Sequence, residues 1–245
     1  MKGAKQILLA GFAALCMVLP ACHSLSTPFI EDAEAPELVV SAEPLTTVSY
    51  TAEYAQDGAL PFTCEVKLGT DGRVRRDYVW KDENGAEKKV SIVIDGTKAV
   101  RIEDGKTTPG KDVDTAKARF FAGLVLDPDS VVSSANRKKD LQDIDGIPCR
   151  VYVLELSGIP DMDSCLVASD PNTNRWVHLF VPMTDDSDTV FCSDFQEYKT
   201  ESGVTYPSRI VTSTENGAPV TCTIRDVKIN PELPDELFRL PETNG

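Results

Sequence analysis

From Val48 onward, apolar and polar residues alternate in short runs. In "FTCEVKL" (62–68), Phe62, Cys64, Val66 and Leu68 fall on one side, and Thr63, Glu65 and Lys67 on the other. A period of two is the signature of a strand with one face turned to a core. Similar runs occur at 48–55, 73–80, 89–94 and 98–103, and again at 149–157, 164–169, 175–182, 189–199, 204–214 and 219–229. The dipeptides Asp57-Gly58, Asp71-Gly72, Asn84-Gly85, Asp95-Gly96 and Asp104-Gly105 punctuate the first group. Turn signals at such spacing predict an antiparallel meander, not strand–helix–strand units. Between the two groups the period changes. Val113, Ala116, Phe120, Phe121 and Leu124 follow helical spacing, with Asp112 or Asp114 as N-cap and Pro128 as stop. Residues 130–144 are read as a second short helix. The expected fold is mainly β: one curved antiparallel sheet of about eleven strands, with one to three helices against its concave face.

The first 21 residues have a different texture. Lys2 and Lys5 precede an apolar run from Ile7 to Leu19, followed by Leu19-Pro20-Ala21-Cys22. This is the three-part plan of a secretory signal, and the apolar run is too short to cross a bilayer as a helix. A large aliphatic residue, a small residue and then cysteine resembles the lipobox of bacterial lipoproteins. That resemblance implies cleavage before Cys22 and lipid attachment to it. Residues 22–45 contain acids and prolines but no Lys or Arg, which reads as a solvated tether. Residues 46–245 form the folded domain. His23 rather than Asp follows the cysteine. By analogy with lipoprotein sorting rules, this points to the outer membrane, facing the periplasm.

Charge narrows the partners. The net charge of −14 becomes −16 once Lys2 and Lys5 are lost with the leader. So acidic a chain is a poor ligand for nucleic acid, whose affinity rests on neutralised phosphates. Membrane association would then rest on lipid at Cys22, not on basic residues. Cys64, Cys149, Cys165, Cys192 and Cys222 remain in the domain, each inside a β-like run, with no C-x-x-C spacing. They read as small buried hydrophobes, and disulfide pairing is left open. His178 is the domain's one histidine and lies mid-strand in "RWVHLFV" with no motif around it. It reads as structural. The short carboxylate pairs in "DPDS" and "DMDSC" lack the spacing of a Ca²⁺ loop. No phosphate-cradling glycine loop occurs. The sequence therefore points away from an enzyme, a metal site or a cofactor.

One basic cluster interrupts the acidic chain. Arg73 and Arg75 share one strand face, while Val74 and Arg76 share the other. An arginine turned inward would need partners there. "DGRVRRDYVW" resembles an early strand of the LolA/LolB lipoprotein-carrier superfamily, with Asp71 where that family has proline. "IVIDGTKAVRIEDG", "DGIPCRVYVLEL", "SDPNTNRWVHLFV" and "SDFQEYKTESGVTYPSRIV" are similar to its later strands, in the same order. "DVKINPELPDELFRLP" is similar to its last strand and ending. The resemblance implies an incompletely closed eleven-stranded barrel, with helices lidding a cavity that holds lipoprotein acyl chains. It implies lid or cavity contacts for Arg75, Tyr78, Trp80, Phe120, Phe121 and Leu124. It also implies that the C-terminal segment docks through Phe238 and Leu240. The expected partners are acyl chains or lipoproteins, and the membrane through the anchor. The alternative is an anchored sensor or scaffold that binds another envelope protein and carries no lipid.

Overall fold

The computed structural model describes residues 45–69, 71–96, 98–110, 136–137, 141–155, 164–182, 190–214 and 217–241. The proposed leader, Cys22, the tether and the helix expected around Phe120, Phe121 and Leu124 lie outside the described residues.

Fourteen strands make up the described chain. The first six are β1 (Thr47–Gln56), β2 (Phe62–Gly69), β3 (Arg73–Lys81), β4 (Glu87–Asp95), β5 (Ala99–Glu103) and β6 (Lys106–Pro109). The rest are β7 (Asn136–Arg137), β8 (Gln142–Ile144), β9 (Ile147–Glu155), β10 (Ser164–Ser169), β11 (Trp176–Pro182), β12 (Val190–Glu201), β13 (Val204–Thr214) and β14 (Gly217–Ile229). One turn of 3-10 helix over Asp235–Phe238 follows.

The strands form one antiparallel sheet in the order β6-β5-β4-β3-β2-β1-β14-β13-β12-β11-β10-β9-β7, with β8 also paired to β9. Almost every neighbour is a sequence neighbour. The long-range exception is β1 with β14, which joins the N-terminal and C-terminal meanders at mid-sheet. β6 lies at one end and β7 and β8 at the other, so the sheet is an incompletely closed barrel.

Local chemistry accounts for the tight returns. Asp104-Gly105, Asp145-Gly146 and Ser202-Gly203 each link two strands with positive φ at both residues. That geometry matches the twist of the strands it joins, and the glycine takes up its second position without a Cβ clash. The Asp145-Gly146 turn also corrects an expectation. Residues 136–137 and 142–144 are strand, not helix, because the turn folds Gln142–Ile144 back onto β9. β6 was likewise not expected: "KTTP" has no apolar alternation, and it is a strand because the Asp104-Gly105 turn lays it beside β5. A bulge at Asp226 (φ 52°) shifts the β1–β14 register between Ser49 and Thr51.

The two faces of the sheet differ. On β1, Val48, Tyr50, Ala52 and Tyr54 are buried, and each second residue between them is only half-buried. Register carries this face through Phe62, Cys64, Val66 and Leu68 on β2 to Val74, Arg76 and Tyr78 on β3. It continues to Val90, Ile92 and Ile94 on β4. In the other direction it passes through Cys222, Thr212, Ser193, Leu179 and Val167. The face is therefore apolar over β1 to β4, with Arg76 set into it, while it carries Arg101 and Glu103 on β5 and the buried Thr212 and Ser193 on β13 and β12.

Candidate functional site

The centre of the apolar face is aromatic. Tyr54 stacks on Phe62 with ring centroids 4.5 Å apart, and Phe62 lies 6.3 Å from Tyr78. Trp80, at the end of β3, packs half-buried against the same cluster. A small recess beside the β1–β2 turn is lined by Tyr54, Leu60, Phe62 and Val220. Burial pushes the phenols of Tyr50, Tyr54 and Tyr78 well above their ordinary range. It also raises the thiols of Cys64 and Cys222 to about 12. At neutral pH every one of these groups is uncharged. Cys64, Cys165 and Cys222 are buried free thiols on this face, so thiolate chemistry there is suppressed.

Set among these neutral groups is a guanidinium. Arg76 is 7% exposed, and its register partners are Val66 and Ile92. Tyr78, Tyr50, Cys64 and Tyr54 are the groups that act on it most strongly. Among the described residues, no carboxylate forms an ion pair with it. A guanidinium does not deprotonate in such a setting.

Arg75 faces the other way. Its Nε and Nη2 donate to the two oxygens of Asp77 at 2.8 and 3.1 Å, and its Nη1 donates to the Leu237 carbonyl at 3.1 Å. Of the arginines considered from sequence, the one among the apolar residues is thus Arg76. Arg75 serves the opposite face, where the chain end lies. Beside it, Arg73 sits 4.9 Å over the ring of Phe238 and pairs with Asp235 and Asp71, each at 2.6 Å. Phe238 is buried and Leu240 half-buried. The segment leaves the sheet through Asn230, whose Oδ1 accepts from the Thr46 backbone at 2.8 Å, while Thr47 Oγ1 donates to the Pro231 carbonyl at 2.8 Å. The chain end is therefore tied to the start of β1, where the preceding segment joins the domain.

Sequence reading missed a polar group on this same outer face, at the other half of the sheet. His178 Nδ1 lies 2.6 Å from Asp194 Oδ1, and Cys192 Sγ lies 3.7 Å from the same oxygen. The pair forms because His178 and Asp194 are directly opposite across β11 and β12. No local motif signals it. Imidazole, thiol and carboxylate within 4.8 Å of one another are a donor set that zinc would accept. Each of the three already has a partner within the group.

No known sequence family matches the chain, and no curated protein does. Solved structures do. A LolA superfamily protein from Nitrosomonas europaea aligns with a TM-score of 0.54 at 15% identity, over 81% of this chain and 91% of that one. The fold is similar to that of this LolA superfamily protein. A putative outer membrane lipoprotein-sorting protein domain from Vibrio parahaemolyticus aligns at TM-score 0.56 and 8% identity, over 81% and 91% of the two chains. A DUF1329 family protein from Desulfovibrio piger aligns at 0.57 and 11% identity, with the same coverage. What these structures share with this chain is the incompletely closed barrel described above.

Proposed function

We propose that the protein is a lipid-anchored binding protein of the cell envelope, holding acyl chains or acylated lipoproteins against the apolar face of its sheet. The observation that carries this is the continuous apolar face of β1 to β4 within an unclosed barrel. An apolar face four strands wide supplies more apolar surface than one side of a hairpin core needs. Each methylene withdrawn from water against it contributes roughly 0.8 kcal/mol. The LolA-like fold supports the reading, as does a lipoprotein-sorting name among the structural neighbours. Binding, not bond chemistry, is the activity proposed.

The test is native mass spectrometry of the full chain, released from a non-ionic detergent and titrated with a tripalmitoylated cysteine peptide. A saturable one-to-one adduct is expected. Absence of any adduct would overturn the reading, and recovery of a single crosslinked envelope protein in its place would favour a scaffold.

The anchor is proposed at Cys22, with the protein at the outer membrane facing the periplasm. Cys22→Ser is expected to abolish radioactive palmitate labelling and to leave the leader attached. Labelling that persists in the variant would exclude Cys22 as the attachment site.

A further inference from the structure

We propose that Arg76 makes the apolar face selective for amphiphiles with a single acidic headgroup, a carboxylate or a phosphate monoester, bound with the head directed inward. The inference rests on the acyl-binding reading above and adds what the ligand must carry.

Arg76 is more than nine-tenths buried, and among the described residues no carboxylate pairs with it. A buried ion with no counter-charge among the described residues is a costly feature for that part of the fold to hold. The sheet could have avoided it easily, because the flanking residues on the same face of β3 are Val74 and Tyr78. The neighbouring groups cannot serve as counter-ions. Burial holds the phenols of Tyr50, Tyr54 and Tyr78 and the Cys64 thiol in their neutral forms. They can, however, add O–H donors beside the guanidinium. Tyr78 accepts one N–H of the planar fork, and the N–H groups it leaves, with phenol O–H groups at the side, make a receptor for a carboxylate or phosphate.

The surrounding charge sharpens the case. Arg73 and Arg75, on the opposite face, are already matched by Asp71, Asp77 and Asp235. A chain of net charge −14 repels small anions at long range. Only a ligand whose alkyl part supplies apolar binding energy would bring an acidic head to Arg76. The site would then reject free inorganic anions and bind neutral lipids more weakly than acidic ones.

The experiment compares hexadecanoate, hexadecyl phosphate and hexadecanol on the full chain by native mass spectrometry. The wild type is expected to bind at least one of the two acids about tenfold to a hundredfold more tightly than the alcohol, the range expected of a charge-assisted hydrogen bond. Arg76→Met is expected to remove that preference while still binding hexadecanol, and Arg76→Lys to keep part of it. Preference for only one acid identifies the head as carboxylate or phosphate. Equal binding of acids and alcohol by the wild type would overturn the proposal and leave the acyl-binding reading intact. Binding of none of the three would overturn the proposal together with that reading. Should Arg76→Met fail to fold, the wild-type comparison and Arg76→Lys decide.

Discussion

Asp77→Ala is expected to lower the unfolding free energy by about 3 kcal/mol, seen as a drop in the denaturant midpoint with an unchanged slope. Asp77 is 7% exposed and accepts both ends of the Arg75 fork, with Ser91 Oγ donating to it as well at 2.5 Å. Truncation leaves the half-buried Arg75 guanidinium without its carboxylate. Breaking one side of a buried ion pair costs more than the pair itself is worth. Arg75 also holds the Leu237 carbonyl, so the loss spreads to the docked chain end. Asp77→Asn keeps the shape and an acceptor, and is expected to cost less than Asp77→Ala. A midpoint unchanged by Asp77→Ala would show that the fork contributes nothing.

The same carboxylate predicts acid sensitivity. Burial alone would raise the pKa of Asp77, but the hydrogen bonds from Arg75 and Ser91, with the charge of Arg75, outweigh it and hold it below the ordinary value. A folded-state pKa lower than the unfolded one gives stability that is present in full above the unfolded value of about 3.9. That stability is lost as pH falls through the folded value. The gap between wild type and Asp77→Asn is therefore expected to be constant at neutral pH and to narrow below about pH 4. A gap that persists unchanged into strong acid would mean that charge is not the source of the effect.

Much of the sheet was legible because alternation is a local signal. Phe62–Gly69 and Ser164–Ser169 read as strands from their own residues. What failed depended on pairing. Gln142–Ile144 has too few residues to show a period, and it is a strand only because β9 lies beside it across the Asp145-Gly146 turn. The arginines show the difference more sharply. Alternation put Arg76 on the same face as Val74 and opposite Arg73 and Arg75, whereas resemblance to a family pattern drew attention to Arg75. The physical period was the better guide to which face each arginine takes. His178 and Asp194 are 16 residues apart, and only register brings them together. Nothing local in "RWVHLFV" could have named its partner.

Phe238→Ala is expected to cost about 2–3 kcal/mol, which tests whether the C-terminal segment is a structural part of the barrel or merely rests on it. The ring is 3% exposed, lies under the Arg73 guanidinium, and follows a turn whose Leu237 N–H bonds the Pro234 carbonyl at 3.0 Å. Removing a buried phenylalanine from a closed core costs about 3–5 kcal/mol. Here the loss has a ceiling. The segment hangs on one side of β3 and β4, and once the cost exceeds its docking free energy it detaches and leaves the sheet folded. The ceiling gives the experiment two readouts. If the segment stays docked, Phe238→Ala lowers the global midpoint and the amides of Leu237 and Arg239 keep their hydrogen-exchange protection. If it detaches, those amides exchange freely and the midpoint falls by no more than the docking energy. Phe238→Leu, which keeps most of the apolar contact but loses the ring beneath Arg73, is expected to fall between the two. The cation–π share, about 0.5–1 kcal/mol, appears as coupling in a double-mutant cycle with Arg73→Met. An unchanged midpoint and unchanged exchange in Phe238→Ala would together show that burial of this ring contributes nothing to the fold. The docked end would then be held by Arg73–Asp235, Arg75–Leu237 and the Asn230 clamp alone.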